Sequence, residues 1–146
     1  MYDDILVPTD GSDVVDAAAS HAIELASNFD ATVHTVYAIE PERTTLPSEA
    51  MRHDEVHEEY VDWGEAITTA IADRARDRGL EGAAAVREGI PHEVISDYAA
   101  DNGVNLIVMG TAGRTGWREH LMGSVTEKTV RTAEVPVLTM RDFEEG

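Results

Sequence analysis

Apolar residues along this chain fall into two alternating patterns: short continuous runs, and longer stretches in which they recur every three or four positions. Runs of that kind predict buried strands, and the spaced pattern predicts helices with one inner face. "DILVPT", residues 4 to 9, predicts a strand ending at the turn Asp10-Gly11-Ser12, where Ser12 offers a helix-capping side chain. Val15, Ala19, Ala22, Ile23 and Ala26 predict a helix through about Ser27, with Asn28 and Asp30 marking its exit. "ATVHTVYA", residues 31 to 38, is rich in β-branched residues and predicts a second strand, followed by a loop over 39 to 48 that holds Pro41 and Pro47.

From about Ser48, the residues Val56, Tyr60, Trp63, Ile67 and Ile71 predict the inner face of a long amphipathic helix that ends near Gly79. "GAAAVREG", residues 82 to 89, predicts a third strand despite its alanines. Pro91 suits the first turn of a helix whose inner face is Val94, Ile95, Tyr98 and Ala99, with Gly103 just past its end. "VNLIVMG" predicts a buried strand, Ser124-x-x-Glu127 a capping box at the start of the last helix, and "VPVLTM" a closing strand. Strand and helix thus alternate throughout, which predicts an α/β fold, a parallel sheet with helices on both faces, in one domain over residues 1–146. Ligands of such sheets bind beyond the carboxyl ends of the strands, where the strand order reverses. The turns after Thr9 and after Met109 are expected at that edge.

Charge narrows the possible partners. The formal charge is −18, with 29 acidic residues against 11 basic ones, of which Lys128 alone is lysine. Such a surface repels nucleic acid and anionic lipid, since both bind by having their phosphates neutralised. No apolar run is long enough to span a bilayer, and "MYDDILVPTDGS" lacks the basic and apolar segments of a secretory signal, which together predict a cytoplasmic protein without a membrane partner. With no cysteine, disulfides and thiolate metal sites are excluded. Many acids and almost no lysine also suit a halophile, whose salt screens the repulsion. The melting temperature is therefore expected to rise between dilute buffer and molar salt, and equal folding in both would contradict that origin.

One stretch departs from the acidic background. Between Gly110 and Arg131 four basic residues face two acids, a local balance of +2 that leaves −20 for everything else. Gly110 and Gly113 flank a tight turn leaving a strand, and Gly123-Ser124 immediately precedes a helix. Glycine admits close backbone approach and a helix start offers unpaired N–H groups, so this arrangement favours an anion, phosphate above all. Taken singly, each glycine also has a purely structural reading, and Ser124 is expected to cap its helix.

The joint spacing Gly110-x2-Gly113-x9-Gly123-Ser124 resembles the nucleotide-binding signature of the ATP-binding universal stress proteins. The resemblance extends to the opening "ILVPTDGS", the order of elements, the length and the closing "VPVLTM". It implies a three-layer α/β/α, Rossmann-like fold of the adenine nucleotide alpha hydrolase-like kind. The sheet is open, mostly parallel and five-stranded, with order 3-2-1-4-5, and ATP, or AMP or ADP, lies between the first and fourth strands. Gly110 and Gly113 are then implied near the ribose and first phosphates, and Gly123, Ser124 and Val125 around the phosphate tail, with a hydroxyl from Thr126. Pro8, Thr9 and Asp10 border the nucleoside, the backbone of Ala38 meets adenine, and Met109 lies against sugar or base. Arg114 is the preferred phosphate contact within the spacer, ahead of Arg118. Asp10 either helps hold a Mg²⁺ ion or serves only its turn.

Other constellations point away from fast chemistry. A Walker A loop, GxGxxG, GxSxG, HxGH and SGGxDS are all absent, so no positioned nucleophile accompanies the loop. His53 and His57 share a helical spacing, but the intervening residues do not make HExxH, and a solvated acidic face explains the pair. His34 and His21 are assigned to packing. The leading function is regulatory ATP binding in stress response, with slow or no hydrolysis. Its alternatives are a modest Mg-dependent ATPase or phosphate-transfer enzyme using Asp10, and an interaction module that has lost the nucleotide. The apolar, proline-bearing last strand is expected at a sheet edge, and with the resemblance it implies a homodimer through that strand.

Overall fold

The computed structural model describes residues 1–41, 47–111 and 123–141, and their side chains except those of 13–14 and 47–56. Five strands and four helices alternate: β1 Asp4–Pro8, α1 Asp13–Phe29, β2 Thr32–Ile39, α2 Pro47–Asp77, β3 Gly82–Glu88, α3 Pro91–Asp101, β4 Leu106–Gly110, α4 Ser124–Thr132 and β5 Val137–Met140. All neighbours pair in parallel in the order β3-β2-β1-β4-β5. The order that the family resemblance implied is the one observed. The last strand is shorter than its apolar run, because Val135 and Pro136 precede the ladder.

Period-two alternation sorts the strand residues between two cores. Ile5, Val7, Val33, Leu106 and Val108 pack under α1 and α2, with Val15, Ala19, Ala22, Ile23 and Ile71. Leu6, Val36, Ile107 and Met109 face the opposite way, onto Val94, Ile95, Tyr98 and Ala99 of α3 and onto Val125 of α4. Asp30 closes α1 in the left-handed conformation, as the exit residues suggested.

The inner face of α2 is the predicted one only in part: Ile71 is buried and Ile67 half-buried as the apolar spacing predicts, the side chain of Val56 lies outside the described residues, and Tyr60 and Trp63 depart from it. Gly64, Thr68, Ile71, Ala72 and Ala75 are buried, whereas Tyr60 and Trp63 remain 42% and 44% exposed. Close approach is the cause. A Cβ at Gly64 would lie 2.5 Å from the Tyr37 ring, so only small side chains fit between helix and sheet, and the aromatic residues are turned to the flank.

Two polar features of the interior bear on stability. His34 is buried and bridges two groups, its Nε2 standing 2.8 Å from Asp4 Oδ1 and its Nδ1 2.8 Å from the Tyr98 hydroxyl. With the ring neutral, it donates to the carboxylate and accepts from Tyr98, so it is a fully used connector between β1, β2 and α3. Arg87 covers the Tyr98 ring at 4.8 Å and reaches Asp101 at 3.2 Å. Burial raises the Tyr98 pKa above its ordinary 10.0, the Arg87 charge opposes that rise and Asp4 adds to it. The unfolded chain thus releases this proton at lower pH than the folded one, and the stability tied to Tyr98 is present below pH 10 and lost above it. Tyr98→Phe is expected to flatten the alkaline limb of a stability-against-pH curve. At neutral pH it costs about 1–3 kcal/mol, because His34 Nδ1 loses its donor. Among the described residues, the fully buried Thr35 hydroxyl has no partner. Thr35→Val is accordingly expected to stabilise the fold by about 1 kcal/mol in chemical denaturation.

Candidate functional site

Backbone bonding dictates where the sheet opens. Thr32 donates to the Asp3 carbonyl and Thr9 to the Val36 carbonyl, so odd-numbered residues of β1 face β2. Asn105 donates to Asp4, so even-numbered ones face β4. The next donor toward β4 after Leu6 would be residue 8, and Pro8 has no N–H. Pairing of β1 with β4 accordingly stops at Leu6 and Ile107, while pairing with β2 continues to Pro8 and Val36. A crevice is left at the carboxyl ends of β1 and β4, on the reversal point of the strand order.

On one side of that crevice β2 outruns β1. Val36 is the last β2 residue paired with β1, and alternation aims the N–H and C=O of Ala38 toward the β1 side, past the end of its ladder. The turn from β1 folds back on itself: Thr9 Oγ1 accepts from the Gly11 amide at 3.0 Å, and Asp10 Oδ1 from the Ser12 amide at 2.9 Å. Asp10 is thus an Asx-turn residue. Ser12 stands at the N-cap of α1 but makes no side-chain cap bond, and its Oγ is buried without a partner among the described residues. The capping role expected of it is not observed.

The other side of the crevice is built from β4 and α4. Met109 is buried in the α3-side core, Gly110 ends the strand, and the Thr111 amide donates to Met140 at 2.9 Å. The Thr111 carbonyl then accepts the Gly123 amide, which brings the two ends of the glycine-flanked spacer together. Thr126, in the first turn of α4, donates its hydroxyl to the Gly110 carbonyl at 2.8 Å and locks the helix start against the strand end. Gly113, Arg114 and Arg118 lie outside the described residues.

The cap of α4 also differs from expectation. Gly123, not Ser124, is the N-cap, and Ser124 is the first helical residue, with its side chain exposed and no side-chain cap bond formed. The first helical bond runs from Glu127 to Gly123. Among the described residues, no acceptor meets the amides of Ser124, Val125 and Thr126. Three N–H groups at the positive end of a helix therefore have no acceptor among the described residues. Glu127, the acid of the first turn, is paired with Arg131 at 2.9 Å, which moderates its repulsion of an anion.

Sequence reasoning missed one neighbour of this site. A Cβ at Gly11 would sit 2.7 Å from Cζ2 of Trp63, so the indole of α2 lies against the turn that follows β1. A glycine inside a helix, one residue after a tryptophan, was the available signal of such an approach. A separate groove of about 300 Å³ between α2 and β3 includes His57, Glu65 and Glu88 in its lining, with His57 3.9 Å from Glu88. The side chain of His53 lies outside the described residues, and among those described no group of three metal-ligating side chains gathers. Among the described residues, no helix is long and apolar enough to cross a membrane.

The model of the Universal stress protein family matches residues 1–141. The universal stress protein MJ0531 of Methanocaldococcus jannaschii is 35% identical over 142 residues, which cover 97% of this chain and 83% of that protein. The solved structure of MJ0577 from the same organism superposes with a TM-score of 0.86 at 29% identity, over 99% of both chains. Universal stress proteins solved with cAMP, and with dAMP in the case of Archaeoglobus fulgidus, share the fold at 24% and 23% identity. Their TM-scores are 0.65 and 0.63, over 96% and 94% of this chain and 97% of each of theirs.

Proposed function

The chain belongs to the universal stress protein family, and from that premise we propose that it binds an adenine nucleotide in the crevice between β1 and β4. The observation that carries this reading is the start of α4, where no described residue accepts from the amides of Ser124, Val125 and Thr126, beside the point where the strand order reverses. In this reading they hold the phosphate tail of ATP, or the shorter tail of ADP or AMP. Gly110 and Gly113 admit the ribose and first phosphates, and Arg114 adds a charge-assisted contact. Pro8, Thr9, Asp10 and Met109 border the nucleoside, and the Ala38 backbone, aimed past the β1 ladder, offers adenine one donor and one acceptor. Asp10 supplies a carboxylate oxygen to a Mg²⁺ ion that offsets phosphate charge. That two relatives of the same fold were solved with adenine nucleotides supports this choice of base.

The role is regulatory, with hydrolysis slow or absent. The Thr126 hydroxyl is spent on the Gly110 carbonyl and Asp10 Oδ1 on the Ser12 amide, so neither of these atoms activates a water. β5 ends the sheet order and exposes one edge, which supports a homodimer formed through that strand. Mass spectrometry of protein purified without a tag should find a bound adenine nucleotide. Added ATP at about a hundred times its Kd should stabilise the stripped protein by roughly 2.7 kcal/mol. No thermal shift with any adenine nucleotide would contradict the proposal.

A further inference from the structure

Trp63 is half-exposed on α2, which leaves part of the indole face accessible to a ligand. Its position is fixed from two sides. The next residue, Gly64, rests on the ring of Tyr37, the β2 residue before Ala38, and the Trp63 ring edge rests on Gly11 in the turn after β1. Gly11 has φ +82°, and a side chain there would collide with the indole, so the turn and the ring are fitted to each other. Trp63 therefore lies against the turn at Gly11, on a helix whose next residue packs on Tyr37, the neighbour of Ala38, so it stands beside the segments that border the nucleoside end of the crevice.

Building on the nucleotide reading above, we propose that Trp63 is the aromatic wall of the nucleoside pocket, contacting the base or sugar and setting the preference for a nucleoside over bare phosphate. It is a binding residue that acts at the end of the ligand opposite the α4 amides. Stacking against a tryptophan tolerates any base, so the effect concerns nucleosides against inorganic phosphates and not adenine against guanine.

The test compares ATP, adenosine and inorganic tripolyphosphate on the full chain and on Trp63→Ala and Trp63→Phe. Trp63→Ala should weaken ATP and adenosine by about tenfold and leave tripolyphosphate unchanged, with Trp63→Phe recovering much of the loss. The chain has two tryptophans, so Trp117→Phe isolates the emission of Trp63, which adenosine should quench and tripolyphosphate should not. Melting curves without ligand confirm that each variant is folded. ATP binding that is equal in wild type and Trp63→Ala overturns this inference alone. Equal binding together with an altered sedimentation coefficient would make Trp63 a protein contact instead, and failure of the wild type to bind any adenine nucleotide would overturn the nucleotide reading as well.

Discussion

Ser124→Pro is expected to weaken ATP binding by roughly 10- to 100-fold while leaving the nucleotide-free protein as stable as the wild type. Ser124 is the first residue of α4, where a helix tolerates proline because the N–H there has no intrahelical acceptor. The residue before a proline must be extended, and Gly123 already is, with φ −73° and ψ 166°. The substitution therefore removes one of three amides from the crevice without disturbing the helix. A hydrogen bond from an amide to a charged phosphate is worth about 1.5–3 kcal/mol, which gives the stated loss of affinity. Ser124→Ala removes only the hydroxyl and should bind nearly as the wild type does. Titration calorimetry at one fixed salt concentration, paired with melting curves, separates the two variants. Unchanged ATP affinity in Ser124→Pro would remove the amides from the site.

Gly82→Ala should lower stability by about 3 kcal/mol, and the melting temperature by roughly 10 °C. Gly82 opens β3 directly beneath α2, and a Cβ there would lie 2.6 Å from the Ala72 carbonyl oxygen. Because that neighbour is backbone in the middle of a helix, it cannot rotate away, and relief requires α2 to lift from the sheet. Gly79→Ala is the informative contrast. Gly79 has φ +79° and nothing within 4 Å of a built Cβ, so alanine there should cost only about 1–2 kcal/mol of backbone strain. If the two substitutions proved equally mild in chemical denaturation, the tight seating of α2 would be wrong.

The element order was legible because most strands are continuous apolar runs and each helix has a distinct period, whereas the sheet order was implied by the family resemblance. Ile5-Leu6-Val7 and Leu106-Ile107-Val108 could only be strands buried on both faces. The inner face of α2 was legible only at Ile67 and Ile71. Apolar spacing selects Tyr60 and Trp63, but the space between helix and sheet admits only Gly64, Thr68 and Ala72, and that distance is a tertiary property. The same limit applies to the caps. Ser12 and Ser124 have the right chemistry, yet the Ser12 hydroxyl makes no cap bond while Thr9 and Asp10 bond the amides of the preceding turn, and Gly123 occupies the N-cap position at the other site. The crevice itself was legible in principle, since a proline on the β4-facing side of β1 must end the ladder; that side, however, became known only once the register was seen. His34 likewise looked like a packing residue, and only the fold brings Asp4 and Tyr98 to its two nitrogens.

The most direct test of the nucleotide site is a crystal structure of the protein grown with excess MgATP. Polyphosphate oxygens within hydrogen-bond distance of the amides of Ser124, Val125 and Thr126, with the base directed toward Ala38, are the expected result. Those amides bonded to water or protein, with the crevice between β1 and β4 empty of nucleotide, would contradict it.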